Sequence, residues 1–234
     1  MSARGALRGV ITSILIAATG PAVAASFGLS PLGLAIGANE LSGSVVVTNS
    51  GPDEIVIQAR PYAWSQSGKE SRADTRDLIM NPPIFKLAPG EQQLVRVASR
   101  TAPLAEAERA YRVVFREVPL SATNPQPGFR ITVAMDIPVY IEPLKPANAS
   151  VTWRVERSSL IGENAGGRRL RLRNVQLMDG ERVVHTLPAL VVLAHSRLDI
   201  ELPETASQAH GLRLIGQDDA DQPVAIDIPL VASQ

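Results

Sequence analysis

The sequence contains no cysteine, only three histidines, and aromatic residues at 4% of its 234 positions. Without cysteine there can be no disulfide, no thiol catalysis and no thiolate metal site, so stability must come from buried apolar surface. His185, His195 and His210 are too dispersed to offer metal-ligand spacing such as H-x-x-x-H. No G-x-S-x-G elbow occurs, nor a phosphate-binding glycine loop ending in Lys-Ser/Thr. Asp218-Asp219-Ala220-Asp221 lacks the Gly and terminal Glu of a calcium loop and reads as a polar turn. These absences point away from an enzyme, from any metal or other cofactor and from a small-molecule substrate. The charges balance at 23 basic and 23 acidic residues, which leaves no basic excess for nucleic acid.

No apolar run reaches the ~20 residues of a membrane span. The longest near the amino terminus, Val10 to Ala18, follows Arg4 and Arg8 and is closed by Ala22-Val23-Ala24. That order is expected of a cleaved secretory signal over residues 1–24, and Gly20-Pro21 argues against a buried helix there. The remaining chain, about 210 residues, suits two domains of about 100.

What is present is period-2 apolar alternation punctuated by turns. Strands are expected over residues 41–49, 55–64, 93–98, 111–119 and 129–141. Ser50 to Asp53, Ser65 to Gly68 and Ala88 to Glu91 mark turns between them. Leu104 to Glu108 has room for one helical turn. Glu142 to Asn148, polar and with two prolines, reads as a linker. Beyond it lie strands over 151–157, 168–177, 182–192, 198–202, 212–215 and 224–231, with Gly162 to Gly167 read as a hairpin loop. The fold class is all-β: two immunoglobulin-like sandwiches in tandem, residues 25–143 and 144–234.

An ordered series in the first half resembles a known family. It comprises Val45-Val46-Val47-Thr48-Asn49, Asn81-Pro82-Pro83-Ile84-Phe85-Lys86-Leu87-Ala88-Pro89-Gly90, Leu94-Val95-Arg96-Val97, and Arg116-Glu117-Val118-Pro119. The series is similar to that of the periplasmic chaperones of the chaperone–usher pathway, the PapD-like family. Tyr62-Ala63-Trp64-Ser65-Gln66 and Ile137 to Pro143 resemble the archaic, Csu-type branch more closely. The resemblance implies a periplasmic chaperone, bent between its domains, that caps pilin subunits by strand donation and delivers them to an outer-membrane usher. It also leaves room for a self-capping homodimer. A secreted structural or adhesive sandwich without chaperone activity is the alternative.

Strand donation needs large apolar side chains at alternate positions on one face. Phe129, Ile131, Val133, Met135 and Ile137 form such a ladder, placed by the resemblance on the donor strand. The same alternation also fits a strand lining its own core, and one strand can do both. The family's carboxylate anchor, an arginine on the first strand and a lysine on the donor strand, falls here on Gly33 and Pro138, which have no charge to offer. A replacement is expected on the neighbouring strand. With Tyr111, Val113 and Phe115 facing inward, Arg112 and Arg116 share the outer face, and Arg112 is the first candidate to bind the pilin carboxylate, Arg116 the second. A solvated surface arginine is the competing reading. The resemblance further implies an ion cluster of Arg96, Glu108 and Asp218 between the domains. Finally, Arg168 to Asn174 runs almost directly into Val175 to Gly180, so a shortened second domain is expected.

Overall fold

A computed structural model describes residues 27–119, 132–207, 209 and 211–229. The amino-terminal segment 1–24 and the ladder residues Phe129 and Ile131 lie outside the described residues.

Nine strands form the first sandwich: β1 (Phe27–Ser30), β2 (Leu34–Ile36), β3 (Ser42–Asn49), β4 (Ile55–Asp74), β5 (Leu78–Asn81), β6 (Ile84–Leu87), β7 (Gln92–Ser99), β8 (Arg109–Val118) and β9 (Ala134–Ile141). One sheet has the order β1-β3-β7-β5. The facing sheet has β4-β8-β9-β2, with β6 on the outer side of β4. Alternation decides which side chains fill the space between. Val45 and Val47 of β3, Val95 and Val97 of β7, and Tyr111, Val113 and Phe115 of β8 are all buried in one core. Each contributes roughly 1.5–3 kcal/mol by leaving water.

The second sandwich has β10 (Val151–Glu156), β11 (Ser159–Asn164), β12 (Leu170–Asp179), β13 (Arg182–Val192), β14 (Ser196–Glu201), β15 (Leu212–Gln217) and β16 (Pro223–Ile228), with a one-turn helix at Glu204–Ser207. Its sheets, β10-β11-β14 and β13-β12-β15-β16, enclose a separate core that includes Trp153, Leu160, Leu172, Leu177 and Leu214. Gly162 and Glu163, read in the sequence as loop, belong to β11. No break follows the arginine run: β12 continues through Asn174, whose φ of 52° accompanies a register irregularity against β15.

Each sandwich carries one buried asparagine at the end of a strand. Asn49 donates to the carbonyls of Asp53 and Leu87 and accepts from Gly51 N. Asn164 donates to the carbonyls of Arg168, Val192 and Leu193 and accepts from Ser150 N and Gly166 N. An asparagine has the two donors and the acceptor oxygen these turns need, whereas an apolar residue would leave those backbone groups unpaired.

Beyond Trp64, β4 turns back on itself at Gly68, where φ is +84°. Arg60 thus meets Asp74 at 2.9 Å and the Ser65 and Ser71 hydroxyls meet at 2.9 Å. The polar return limb, Lys69 to Asp74, offers no apolar alternation and escapes a reading based on it. The tip of this arm reaches the second domain, pairing in parallel with β14 at Ser67↔Arg197 and Gly68↔Leu198. Leu104 to Glu108 makes no helical turn. It bends along the linker instead, its Leu104 and Ala105 carbonyls accepting from Leu144 N and Lys145 N at 2.9 Å.

Candidate functional site

The outer face of the β4-β8-β9 sheet turns toward the second domain, and the site is built on it. Register sets the rows. Tyr62, Arg112 and Pro138 lie side by side across the three strands; Ala110 and Tyr140 lie in the next row, with Trp64 on the adjoining stretch of β4. Ala110 is small, so Trp64 and Tyr140 lean toward one another across it, ring centroids 6.2 Å apart. Leu193 of the second domain closes over both rings, and Gln66 beside them donates to Val191 O and accepts from Leu193 N.

Two guanidinium groups flank this aromatic pair. Arg112 lies 3.8 Å from the Trp64 ring centroid and Arg169, from the second domain, 3.6 Å from that of Tyr140. Arg169 is also ion-paired with Glu108, the two side chains being only 9% and 1% exposed. Burial pushes the Glu108 carboxyl above its ordinary value, against the lowering effect of the Arg169 and Arg168 charges. The pair is incompletely satisfied, since Glu108 Oε1 and Arg169 Nε are buried without partners. Desolvation is therefore only partly offset.

The ion cluster takes a different membership from the one expected. Glu108 belongs to it. Arg96 does not: it stands on the exposed face of the opposite sheet, between Ser44 and Asn81. Its neighbours Val95 and Val97 point the other way along the strand, into the core. Asp218 caps its own turn, accepting from Ala220 N and Gln222 N. The acidic member is Asp219, 3.9 Å from Arg169 and 3.0 Å from Arg171. Asp221 pairs with Arg173 at 2.6 Å, so the arginine run of β12 answers the acidic turn residue by residue. No cluster of metal-ligating side chains occurs among the described residues.

A cleft of about 430 Å³ opens between the domains, bordered by Gly33, Pro138, Tyr140, Arg169 and Arg171. Gly33 and Pro138 stand against each other there: a Cβ on Gly33 would meet Pro138 Cγ at 3.3 Å. The two uncharged positions thus do occupy one place in the cleft.

Arg112 is set apart by what it lacks. The other partly buried arginines among the described residues all bind oxygen: Arg109 to Thr101 and Ala102, Arg154 to Glu156 and Glu163, Arg169 to Glu108, Arg173 to Asp221, Arg197 to Asp199. Arg112 has the Trp64 ring and no such oxygen, and its Nε is buried without a partner. Arg116, two residues on, is exposed beside Ala134 and Gln58, farther along the sheet from the cleft.

The described part of the ladder lines the protein's own core. β9 pairs with β8 so that Val113 is opposite Ile137 and Phe115 opposite Met135, and opposed residues share a face. Ile137 is fully buried there, while Val133 and Met135 remain partly exposed at the margin of the core. The other edge of β9 is paired with β2 only at Val139–Ile141. Among the described residues no strand covers Ala134–Pro138 on that side.

The joint between domains leaves no room for side chains at its closest point. Gly167 O accepts from Glu108 N at 2.8 Å, and a Cβ on Gly167 would sit 2.0 Å from Glu106 O. Gly167→Ala is expected to lower stability by about 1–3 kcal/mol, read from urea unfolding, because backbone must separate to admit the methyl group.

Fold and site together define a two-domain immunoglobulin-like protein whose first domain, among the described residues, leaves a strand edge uncovered beside a cleft. Residues 26–147 match the family described as pili and flagellar-assembly chaperone, PapD N-terminal domain, and the chain belongs to that family. Among solved structures it resembles a chain of the CsuC–CsuE chaperone–tip adhesion subunit pre-assembly complex, from archaic chaperone–usher Csu pili of Acinetobacter baumannii. The TM-score is 0.66 and the identity 20%, over 88% of this chain and 100% of that one. The E. coli chaperone DraB gives a TM-score of 0.64 at 15% identity, over 88% and 97%. The Salmonella enterica SafA pilin–SafB chaperone complex gives 0.65 at 14%, over 88% and 98%. No curated protein sequence matches the chain.

Proposed function

We propose that this chain is a periplasmic chaperone of the archaic branch that caps pilin subunits by donor-strand complementation and passes them to an outer-membrane usher. The observation that carries the reading is the edge of β9 at Ala134–Pro138, which no strand covers among the described residues. An unpaired edge is a template for another strand. A subunit strand laid there gains main-chain hydrogen bonds, and Val133 and Met135 at the core margin, with Phe129 and Ile131 before them, serve as its apolar plugs. Each plug that becomes fully buried contributes roughly 1.5–3 kcal/mol, so three or four offset the ordering cost of the complex.

With Gly33 and Pro138 where the family's basic pair would stand, Arg112 is the carboxylate anchor that takes over from it. Exported by its first 24 residues, the chain divides near residue 143 into a donor domain and a second sandwich that completes the cleft. Co-expression in the periplasm with the pilin subunit encoded beside it is expected to yield a stable one-to-one complex. A subunit equally soluble without the chaperone would refute the proposal.

A further inference from the structure

Tyr140 presents a contradiction in the site. Only 4% exposed, its ring is gripped by Arg169 at 3.6 Å on one side and approached by Trp64, yet its hydroxyl is buried without a hydrogen-bond partner. A buried hydroxyl left unpaired costs free energy that a phenylalanine would not incur. Burial pushes the phenol up to about 12, so at any physiological pH the hydroxyl keeps its proton and remains a donor. Tyr140 borders the cleft, together with Gly33 and Pro138. On the sheet it is a diagonal neighbour of Arg112, since Ala110 opposes Tyr140 and Arg112 opposes Pro138. The Arg112 charge acts on the phenol, and Arg112 Nε is itself a buried donor without a partner.

Tyr140 Oη and Arg112 Nε are unpartnered donors on one face, Trp64 Nε1 and Arg169 Nε are two more around them, and Tyr140 and Arg169 border the cleft, so the place calls for an acceptor with several lone pairs. A carboxylate offers about four such sites and no donor of its own. Water satisfies one donor as well as another, but does not balance the Arg112 charge. We propose that the Tyr140 hydroxyl is the second donor to the carboxylate bound by Arg112, an inference that rests on the anchor role assigned to Arg112 above. Tyr140 thereby makes the cleft selective for a chain terminus over an apolar or amidated one. The second domain takes part through Arg169, which fixes the ring that carries the hydroxyl.

The test uses the full mature chain, labelled so that the Nε–H of Arg112 is followed by NMR, its signal being the one lost in Arg112→Lys. The probe is N-acetyl-glycyl-valine, as the free acid and as the amide. The free acid is expected to shift the signal and the amide to leave it in place. Tyr140→Phe should weaken the free acid roughly tenfold, as removal of one hydrogen bond to a charged group does. The same substitution should leave Tm unchanged or raise it, because it removes an unpaired buried hydroxyl; a merely structural hydroxyl would lower it. Undiminished binding by Tyr140→Phe, with binding abolished in Arg112→Ala, overturns the role of Tyr140 and keeps the anchor. Equal binding of acid and amide, no shift with the wild-type chain, or no effect of Arg112→Ala overturns both.

Discussion

Arg169→Ala is expected to lower the unfolding free energy by about 3–5 kcal/mol at neutral pH, the loss typical of a buried pair with one partner removed. The substitution leaves Glu108, 1% exposed, without the charge and hydrogen bond that hold its carboxyl down against burial. It also removes the guanidinium stacked on Tyr140, so the contact between the domains loosens at the point where the cleft is formed. The loss should depend on pH with a definite sign. A carboxyl whose folded value lies above its unfolded one binds more protons in the folded state, so stability falls as pH rises through that interval. Without Arg169 the folded value rises further and the interval widens. The deficit of Arg169→Ala against wild type should therefore be largest at neutral pH and shrink on acidification toward about 4.5, the ordinary value of the group. Comparing variant with wild type at each pH cancels common contributions such as that of Glu163, whose carboxyl is lowered by its bond to Arg154 and loses stabilisation as pH falls. Glu108→Leu combined with Arg169→Leu should recover most of the stability and flatten the difference, since apolar replacement of a whole buried pair is often neutral or favourable. Urea unfolding at pH 7 and pH 5 measures all three chains, and a deficit of equal size at both values would contradict the assignment.

That pair also marks where the sequence stops being legible. Alternation along a single strand is local information, and it placed Tyr111, Val113 and Phe115 inward and Arg112 outward, as the β8 register has them. It also identified the strand ending in Asn49, whose side chain closes the turn. Arg169 could not be found that way. It stands in a run of arginines that all look alike, and only the packing of the second domain against β8 decides that this one meets Glu108 while Arg171 and Arg173 meet the acidic turn. The same limit holds for Arg96, which the resemblance puts in the ion cluster and the strand register puts on the exposed face of the other sheet. Pattern also cannot separate a donor ladder from a core ladder: Val133, Met135 and Ile137 face the protein's own core, and what distinguishes β9 is that no strand among the described residues covers Ala134–Pro138 on its far edge, a property of topology. Trp64 and Tyr140 stand in segments that resemble the family's, but their joint role depends on Ala110 being small between them.

Arg112→Ala is expected to reduce capture of a pilin subunit at least about thirtyfold, because a carboxylate bound by Arg112 would lose its charged partner, a truncation that typically costs about 2–5 kcal/mol. The stability of the free chaperone should change little by comparison. Arg112 contributes a stacking contact on Trp64, worth about 0.5–2 kcal/mol, and no ion pair among the described residues. Capture and stability therefore separate, which they do not for Arg169→Ala. Arg112→Lys keeps the charge but not the planar fork, and should fall between alanine and wild type. Arg116→Ala, on the exposed part of the same strand face, should have the smaller effect. A subunit extended past its own carboxyl terminus supplies the other half of a double-mutant cycle. Extension should weaken capture by the wild-type chaperone and make no further difference to Arg112→Ala, because both changes remove the same contact. Yields of purified complex after periplasmic co-expression, and the rate at which subunit is lost from it, measure each combination. Undiminished complex formation by Arg112→Ala, or additive losses from the two changes, would reassign Arg112 to a structural role and return the search for the anchor to Arg169 and Arg171, which border the cleft.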